Sequence, residues 1–399
     1  KGKEYLTKPE IFMLDLLSNY QWDRPINLLS MGGDINIGIK DYLMYEGFSY
    51  KFVPVKNRMS SSNIGFSDPD DLYNKMKNVF TWDALKRTDY FADYQNFYTF
   101  CGVLSQRQIF INVAKELVEA GQKEKAVEML DMCQECVPEE VYPLDMSYYG
   151  FANEYMVADM VQLYFDLGEY EKGRALLSRF ASSLSWSVDF FSGYNYTKKE
   201  FSTAAEILIW MIGICQDDVY EEMDKDTQKA EELLDLYSAW MSAELRNFRP
   251  DSQVWATFFD QCAVLGRTDQ VSDLFDPYID RLVAEFEGYF GEYDRITRAL
   301  SEIAKKKERI HADFEDIYTR YSTANSSDNE ALEHKMEVLE ANYSKLMKEE
   351  DALDESMADL EEMIYNCLYL FEDAIVLAET YGSDKAERLK SLLDAVYGE

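Results

Sequence analysis

A glycine-rich stretch near the start of the chain is the first place where the sequence could bind a phosphate. Gly32 and Gly33 follow an apolar run in RPINLLSMGGDINIGIKDYLMYEG, and Gly38 comes five residues later. A phosphate loop needs glycines spaced as GxGxxG, or a GK[ST] sequence, between a buried strand and a helix. Neither pattern is present, and Asp34 would repel an anion. We therefore predict a structural stretch that binds no nucleotide and no other cofactor.

The carboxylates and histidines do not form a catalytic arrangement in the sequence. Asp217 and Asp218 are adjacent, and neighbouring side chains on a helix point about 100° apart, so spacing alone does not make them an acid/base pair. The two histidines, His311 and His334, lie in a charged helical region where a pocket is not expected. We predict that this chain has no catalytic residues and is not itself an enzyme.

The cysteines favour core packing over redox or metal chemistry. Cys133 and Cys136 form a CxxC at the end of a helical run, just before Pro138, where the helix dipole raises a thiol pKa rather than lowering it. A zinc site would need two further ligands. The acidic stretch SDPDD (67–71) lacks the glycine and closing glutamate of an EF-hand loop. We therefore expect no metal.

Composition excludes some partners and bounds the fold. The 399 residues are enough for two or three domains, and the net charge of −35 argues against nucleic acid and against charge-driven docking on an anionic membrane. The most apolar run, Ile207–Cys215, is too short to span a bilayer, so we expect a buried helix. The opening sequence KGKEYLTKPE has no signal peptide and is interpreted as a cut inside a longer protein.

The elements around the glycine-rich stretch form a small α/β unit in our prediction. A helix is expected over Pro9–Tyr20. A strand then ends near Met31, a short helix follows over Ile39–Tyr45 with Gly47 as its C-cap, and a second strand covers Tyr50–Val55.

Helical hairpins follow along the chain. Gly121 stands between two helical patterns, and glycines with similar flanking residues recur at Gly168 and, more weakly, at Gly266. One degenerate unit is expected between the last two, with Lys229–Tyr237 as its second helix. These offsets resemble the tetratricopeptide repeat, in which a glycine precedes the second helix and a small residue marks the crossing point. The resemblance implies a helical-hairpin solenoid.

Heptad spacing begins after Gly291 and predicts an antiparallel coiled-coil hairpin. Two arms joined by TANSSDN carry apolar residues in steps of four and three: Ile296, Leu300, Ile303, Ile310, Phe314, Ile317 and Tyr321, then Leu332, Met336, Leu339, Tyr343, Leu346, Leu353, Met357 and Leu360. Each arm has one charged break, Lys307 or Glu350. Folding at the turn brings these breaks to similar heights, so we predict that they approach each other.

The predicted fold class is mainly α. It combines a tetratricopeptide-like helical-hairpin solenoid with a small N-terminal α/β subdomain and the coiled-coil hairpin. We divide the chain into an α/β adaptor over 1–69, a helical repeat domain over 70–283, and the hairpin with a C-terminal helical pair over 284–399. That last pair turns at Gly382.

The N-terminal motifs resemble the soluble C-terminal part of a bacterial family of polytopic membrane proteins. That family is of unknown function and is grouped with protein O-mannosyltransferase-like proteins. The resemblance covers residues 5–180 and departs at Asn27 and Leu28, where the family has aromatics. The matching positions are Trp22, Arg24, Pro25, Ile26, Gly38, Asp41, Tyr42, Leu43, Glu46, Gly47, Tyr50, Val53 and Pro54.

The resemblance implies a function beside a membrane. The chain would be the periplasmic, extracytoplasmic tail of an inner-membrane protein, and the missing membrane half would carry any glycosyl transfer. The helix over Pro9–Tyr20, with Ile11, Leu14 and Leu17 on one face, would lead from the last membrane span. Partners would be the chain's own membrane-embedded domain and acceptor or envelope proteins.

Two functions follow as hypotheses. The first is a non-catalytic interaction and support domain of a glycosyltransferase-like membrane protein; the alternative is an independent peptide-binding helical-repeat adaptor. The polar residues to test are Arg24, Asp41 and Glu46, with Tyr50 beside them, either as contacts to the membrane part or as internal salt bridges.

Overall fold

The computed structural model describes residues 5–29, 37–56, 66–89, 103–145, 147–148, 151–192, 198–216, 226–247, 250, 252–323 and 326–398. The chain is mainly helical with a small N-terminal sheet, which confirms the predicted fold class. By the density of its contacts it divides into two compact units, Lys1–Trp240 and Met241–Glu399. The three-part division drawn from the sequence stays a prediction.

The first helix, α1 (Lys8–Ser18), begins with a capping box. The Thr7 hydroxyl accepts from the Glu10 backbone N–H, and the Glu10 carboxylate accepts from the Thr7 backbone N–H at 2.8 Å. These bonds use donors that the helix start leaves without an intrahelical partner. The helix was predicted, but its burial differs from a simple apolar face: Met13 is buried, whereas Ile11 and Leu14 are exposed.

Four short strands form the N-terminal sheet in the order β1-β3-β2-β4. Strand β3 pairs antiparallel with β1 and with β2, and β2 pairs parallel with β4. The register of the β2–β3 pair places Tyr45 opposite Tyr50. The strands are β1 (Asn27–Leu28), β2 (Leu43–Tyr45), β3 (Tyr50–Phe52) and β4 (Phe66–Ser67).

The predicted helix over Ile39–Tyr45 is wrong in its second half. A single 3-10 turn, Lys40–Tyr42, leads directly into strand β2. Leu43 and Tyr45 are both buried, which is the period of a strand. Gly47, with φ of +91°, lies in the β2–β3 hairpin turn and is not a helix C-cap. Gly32, Gly33 and Asp34 lie outside the described residues.

The rest of the first unit consists of helices and one short β-hairpin. A π-helical turn, Lys75–Val79, extends the first of these helices. The last of them, α8, contains the division between the two units. The elements are α2 (Pro69–Asn74), α3 (Val103–Glu119), α4 (Lys123–Cys136), β5 (Ser147–Tyr148), β6 (Phe151–Ala152), α5 (Asn153–Asp166), α6 (Tyr170–Ser192), α7 (Lys198–Gln216) and α8 (Thr227–Asn247).

Glycine turns join the helical hairpins α3–α4 and α5–α6. Gly121 and Gly168 have φ of +73° and +80°, a region that only glycine enters without strain. The residue after each glycine then bonds back into the preceding helix: Gln122 N donates to Leu117 O at 2.8 Å, and Glu169 N donates to Tyr164 O at 2.8 Å.

A second glycine in the α5–α6 hairpin is required by close packing. Gly173 is buried in α6, and a Cβ there would overlap the Phe165 ring of α5. The small residue therefore lets the two helices cross closely, as the repeat pattern predicted.

The second unit consists of α9 (Ser252–Val264), α10 (Thr268–Tyr321), α11 (Ser326–Tyr381) and α12 (Lys385–Tyr397). The helices α10 and α11 have 54 and 56 residues and pack against each other as an antiparallel hairpin. Helix α10 is continuous through a predicted repeat helix and the first hairpin arm, and α11 is continuous through the second arm and the first helix of the predicted C-terminal pair. Rings of Trp255, Phe259 and Phe275 pack together at the base, with 5.0 Å between the Phe259 and Phe275 centroids.

Candidate functional site

An aromatic cluster attaches the N-terminal sheet to the first repeat helix, α3. The Phe48 and Phe80 ring centroids are 4.8 Å apart, and Trp82 lies 4.6 Å from Phe110 of α3. The Trp82 indole N–H donates to Met76 O at 2.8 Å, so the buried ring has its polar atom satisfied. Sheet and helix are thus one packed body within the first unit.

Polar contacts reinforce the same junction. The Ser67 hydroxyl donates to the carboxylate of Glu116, a buried residue of α3. Tyr45 on β2 is buried beside Asn112 and Glu116, and burial raises the pKa of its hydroxyl to about 12. The phenol therefore stays neutral and serves as a hydrogen-bonding group in the interior.

Glu46, one of the predicted site residues, lies in an ion-pair network. Its carboxylate is 2.9 Å from Lys75 Nζ and 3.7 Å from Lys51 Nζ. Lys75 also contacts Asp71 at 2.5 Å. Partial burial disfavours the Lys75 charge, but the hydrogen bonds to Asp71 and Glu46 outweigh it and raise the pKa of Lys75. This network joins the β2–β3 hairpin to α2.

The other predicted site residues do not join that network. Asp41 forms an exposed ion pair with Lys56 at 3.0 Å. The Tyr50 ring packs on Tyr45, with 5.3 Å between centroids. Arg24 is exposed, and its backbone carbonyl accepts from the Tyr20 hydroxyl at 2.6 Å. Glu46 and Tyr50 therefore hold the sheet together, whereas Arg24 and Asp41 are at its surface.

Trp22 is a residue whose special geometry the sequence did not reveal. Among the described residues it is the non-glycine residue with positive φ, at +62°, a conformation that costs free energy for a bulky side chain. Its ring stacks on Phe52 at 5.7 Å and lies 4.5 Å from Tyr20. The W-x-R-P-I motif was the available signal for this geometry. The backbone must turn sharply at Trp22 to place the indole on Phe52.

A cleft of about 410 Å³ opens between the α3–α4 and α5–α6 hairpins. Its floor is mostly apolar and buried, and Arg179 and Glu139 are partly exposed at its edge. The apolar lining comprises Cys133, Val137, Pro138, Leu144, Val157, Met160 and Leu176, and the polar lining comprises Arg107, Gln134, Glu139, Glu140 and Arg179.

Two arginines order the cleft. Arg107 is buried and donates to Pro143 O at 3.2 Å and to Tyr142 O, which fixes the loop after α4. Arg179 donates to Glu139 Oε2 at 3.0 Å across the two hairpins. Such a cleft can hold an apolar side chain while the edge bonds a peptide backbone.

The two thiols of the CxxC are packing groups, and Cys133 is the one that lines the cleft. Burial raises the pKa of Cys133 to about 12 and that of Cys136 to about 11, so neither is a nucleophile at neutral pH. Cys133 Sγ lies 3.9 Å from Met160 Sδ. This fits the core-packing interpretation of the CxxC.

The predicted polar pair of the long hairpin is brought together. Lys307 Nζ donates to Glu350 Oε2 at 2.6 Å and also lies 5.3 Å from the centre of the Tyr343 ring. The hydrogen bond to Glu350 raises the pKa of Lys307. His311 and His334 are exposed on the same hairpin and lie 3.5 Å from Glu315 and 3.7 Å from Glu337.

The described ranges include the acidic stretch SDPDD and both histidines, which are possible metal ligands. These ranges contain no group of three His, Cys, Asp or Glu side chains placed to hold a metal ion. SDPDD serves instead as a helix start, with Asp68 Oδ1 accepting from the backbone N–H groups of Asp70 and Asp71. A bilayer-spanning helix is likewise not found among the described helices.

The geometry defines a class of protein: a helical-hairpin repeat protein with a small sheet fixed to its first repeat. In the comparison with known families, the family described as TMEM260-associated domain 2 matches residues 1–71, which span α1, the sheet and the start of α2. No curated protein and no solved structure matches the chain.

Proposed function

We propose that this chain is a non-catalytic, extracytoplasmic interaction and support domain of a glycosyltransferase-like membrane protein of the protein O-mannosyltransferase-like type. The observation that carries the proposal is the match of residues 1–71 to a TMEM260-associated domain. In this proposal the transfer reaction belongs to a membrane-embedded part outside this chain. The bacterial and periplasmic assignment, and the wider resemblance up to residue 180, belong to the proposal as well.

The packing within the first unit is consistent with a domain that holds other groups in position. The matched segment is joined to α3 through Ser67, which donates to Glu116, and through Tyr45, which lies beside Asn112 and Glu116. The sheet and the helical hairpins are therefore rigidly connected within the first unit. The cleft beside α4 and α6 then stands at a fixed position relative to the sheet, where it can present an acceptor polypeptide to a neighbouring active site.

The test uses the full-length parent protein in a deletion strain. One version ends before Trp22, and a second carries Arg179→Glu, which places a like charge beside Glu139 at the cleft. Arg295→Glu, an exposed charge reversal on the long hairpin, is the matched control. Protein glycosylation is measured by the mass shift of envelope proteins.

We expect the truncated protein to lose glycosylation while its membrane part remains at normal level. Arg179→Glu should lower glycosylation and Arg295→Glu should not. Unchanged glycosylation after truncation would overturn the proposal.

The alternative, an independent peptide-binding adaptor, draws support from the cleft alone. Its apolar floor and Arg179 at its edge suit a peptide that has an apolar side chain next to a carboxylate. Titration of the purified chain with such peptides tests it. Binding that Arg179→Glu abolishes, together with unchanged glycosylation in the truncated strain, would favour the adaptor.

A further inference from the structure

The N-terminal helix α1 leaves most of its apolar side chains uncovered. Ile11 is 55% exposed and Phe12 is 69% exposed, and Leu14 and Leu16 are also exposed. Met13 alone among the apolar side chains of α1 is buried. A helix that is apolar over most of its circumference is ordinarily covered, because exposing such a surface to water is unfavourable.

Exposed aromatic residues flank this helix at both ends. Tyr5 is exposed just before it, and Trp22 is 51% exposed four residues after its last residue. With its positive φ, Trp22 packs one side of the indole on Phe52 and Tyr20 and leaves about half of the side chain exposed. We call Leu6, Ile11, Phe12, Leu14, Leu16 and Trp22 the N-terminal apolar face.

The charge distribution singles out the same segment. Residues 1–56 contain seven basic and seven acidic side chains, so the whole net charge of −35 falls on the remainder of the chain. Lys1, Lys3 and Lys8 stand before or at the start of α1, and Glu4, Glu10 and Asp15 balance them in the same stretch. The apolar face therefore lies in an electrically neutral stretch of a strongly acidic chain.

We propose that the N-terminal apolar face lies in the headgroup layer of a lipid bilayer. This rests on the proposed function in one respect, that the chain works beside a membrane, and it adds which surface of the chain meets the lipid. Leucine, isoleucine and phenylalanine side chains would enter the acyl boundary, while tryptophan, tyrosine and lysine match the interfacial layer. The acidic remainder is repelled by an anionic surface, so the bound orientation is fixed.

Flotation of the purified chain with large phosphatidylcholine vesicles, with and without phosphatidylglycerol, tests this. The variant Ile11→Ser with Phe12→Ser removes two exposed apolar side chains and leaves the buried Met13 intact. The matched control is Tyr365→Ser with Val376→Ser, because these side chains on α11 are 66% and 62% exposed. Circular dichroism verifies that all three proteins fold equally.

We expect the original chain to float with phosphatidylcholine alone, because the apolar face carries no net charge, and the control to float equally. The α1 variant should lose about tenfold or more in bound fraction. Brominated phosphatidylcholine should quench tryptophan fluorescence in the original chain, and Trp22→Phe should remove that quenching.

Two outcomes overturn the inference. In one, the original chain stays unbound with both lipids, which would assign the face to a protein partner. In the other, the α1 variant floats as well as the original chain. Because the assay contains only chain and lipid, it can fail while the glycosylation test succeeds, and the reverse also holds.

Discussion

Lys307 and Glu350 meet across the long antiparallel hairpin, with 2.6 Å between Nζ and Oε2. Each is the single charged residue in an otherwise apolar series on its helix. A charge placed in such a series is favourable when its partner stands opposite, and unfavourable when the helices shift by one turn or pair differently. The pair therefore fixes the register of α10 against α11.

This relationship predicts a charge-reversal pattern in stability. Glu350→Lys places two ammonium groups together and should lower the melting temperature of the chain, and Lys307→Glu should do the same. The double reversal should recover most of the loss. Melting followed by circular dichroism gives the coupling from the four proteins. Additive losses in the double variant would show that the contact contributes nothing.

Gly173 and Gly213 form a matched pair for testing helix crossing. Gly173→Ala forces the Phe165 ring to move and should lower the free energy of unfolding by about 1–3 kcal/mol. Nothing lies within 4 Å of a Cβ at Gly213, so Gly213→Ala should raise stability by about 0.5–1 kcal/mol. Urea unfolding measures both, and equal effects of the two substitutions would contradict the close crossing.

Buried groups with raised pKa values predict alkaline destabilisation. The pKa of Cys133 rises from 9.0 to about 12, and that of Tyr45 rises from 10.0 to about 12. Both must stay neutral in the folded chain but ionise in the unfolded chain. Their contribution to stability is therefore complete below pH 9 and declines as the pH rises towards 12.

Each such group lowers the free energy of unfolding by up to about 1.4 kcal/mol for each pH unit in this range. Urea unfolding between pH 7 and pH 11 checks the prediction. Tyr45→Phe should reduce the slope above pH 10, and Tyr5→Phe, at an exposed position, should leave it unchanged. A slope that is identical in all three proteins would count against the pKa assignment.

Thiol labelling tests the packing interpretation of the CxxC. Cys133, Cys136, Cys215 and Cys262 are buried and free in the structure, and Cys367 is buried as well. We expect iodoacetamide to modify them slowly in the native chain and rapidly in urea, with mass spectrometry reporting each site. Rapid native labelling of Cys133 or Cys136, or a disulfide between them, would show a reactive pair instead.

The junction between sheet and helix yields a further stability prediction. Glu116→Leu removes the acceptor of the Ser67 hydroxyl and leaves a polar atom without its bond, so we expect a loss of about 1–3 kcal/mol. Glu119→Leu, one turn along the exposed end of α3, should cost far less. Chemical unfolding of both variants provides the comparison.

Helical hairpins were predictable because their signals are local. Gly121 and Gly168 had to adopt positive φ, and the apolar period on either side of them belongs to helices. The β2 strand was missed because DYLMYEG is too short to distinguish the 3.6-residue period of a helix from the two-residue period of a strand. Its true state depends on pairing with Tyr50–Phe52 and on packing against α3, which are contacts distant in sequence.

The candidate site shows the same limit. Glu46 could be selected from its motif, but its partner Lys75 and the neighbouring Asp71 belong to a helix that the motif does not include. The cleft could not be predicted at all, since its lining comes from two hairpins and the loop between them. The contact between Lys307 and Glu350 was predictable because the two arms of a hairpin run antiparallel. Residues that are equally far from the turn in sequence therefore lie opposite each other.

The unbroken helices α10 and α11 have a mechanical consequence. They are packed at their base through Phe286 and Phe371, whose centroids are 5.3 Å apart. From Phe286 to Tyr321 the first arm extends about 50 Å. As a stiff lever of that length, the hairpin would turn a tilt of about 5° at its base into a displacement of about 4 Å at its tip. A small rearrangement of the aromatic base would thus produce a larger displacement of any molecule in contact with the tip.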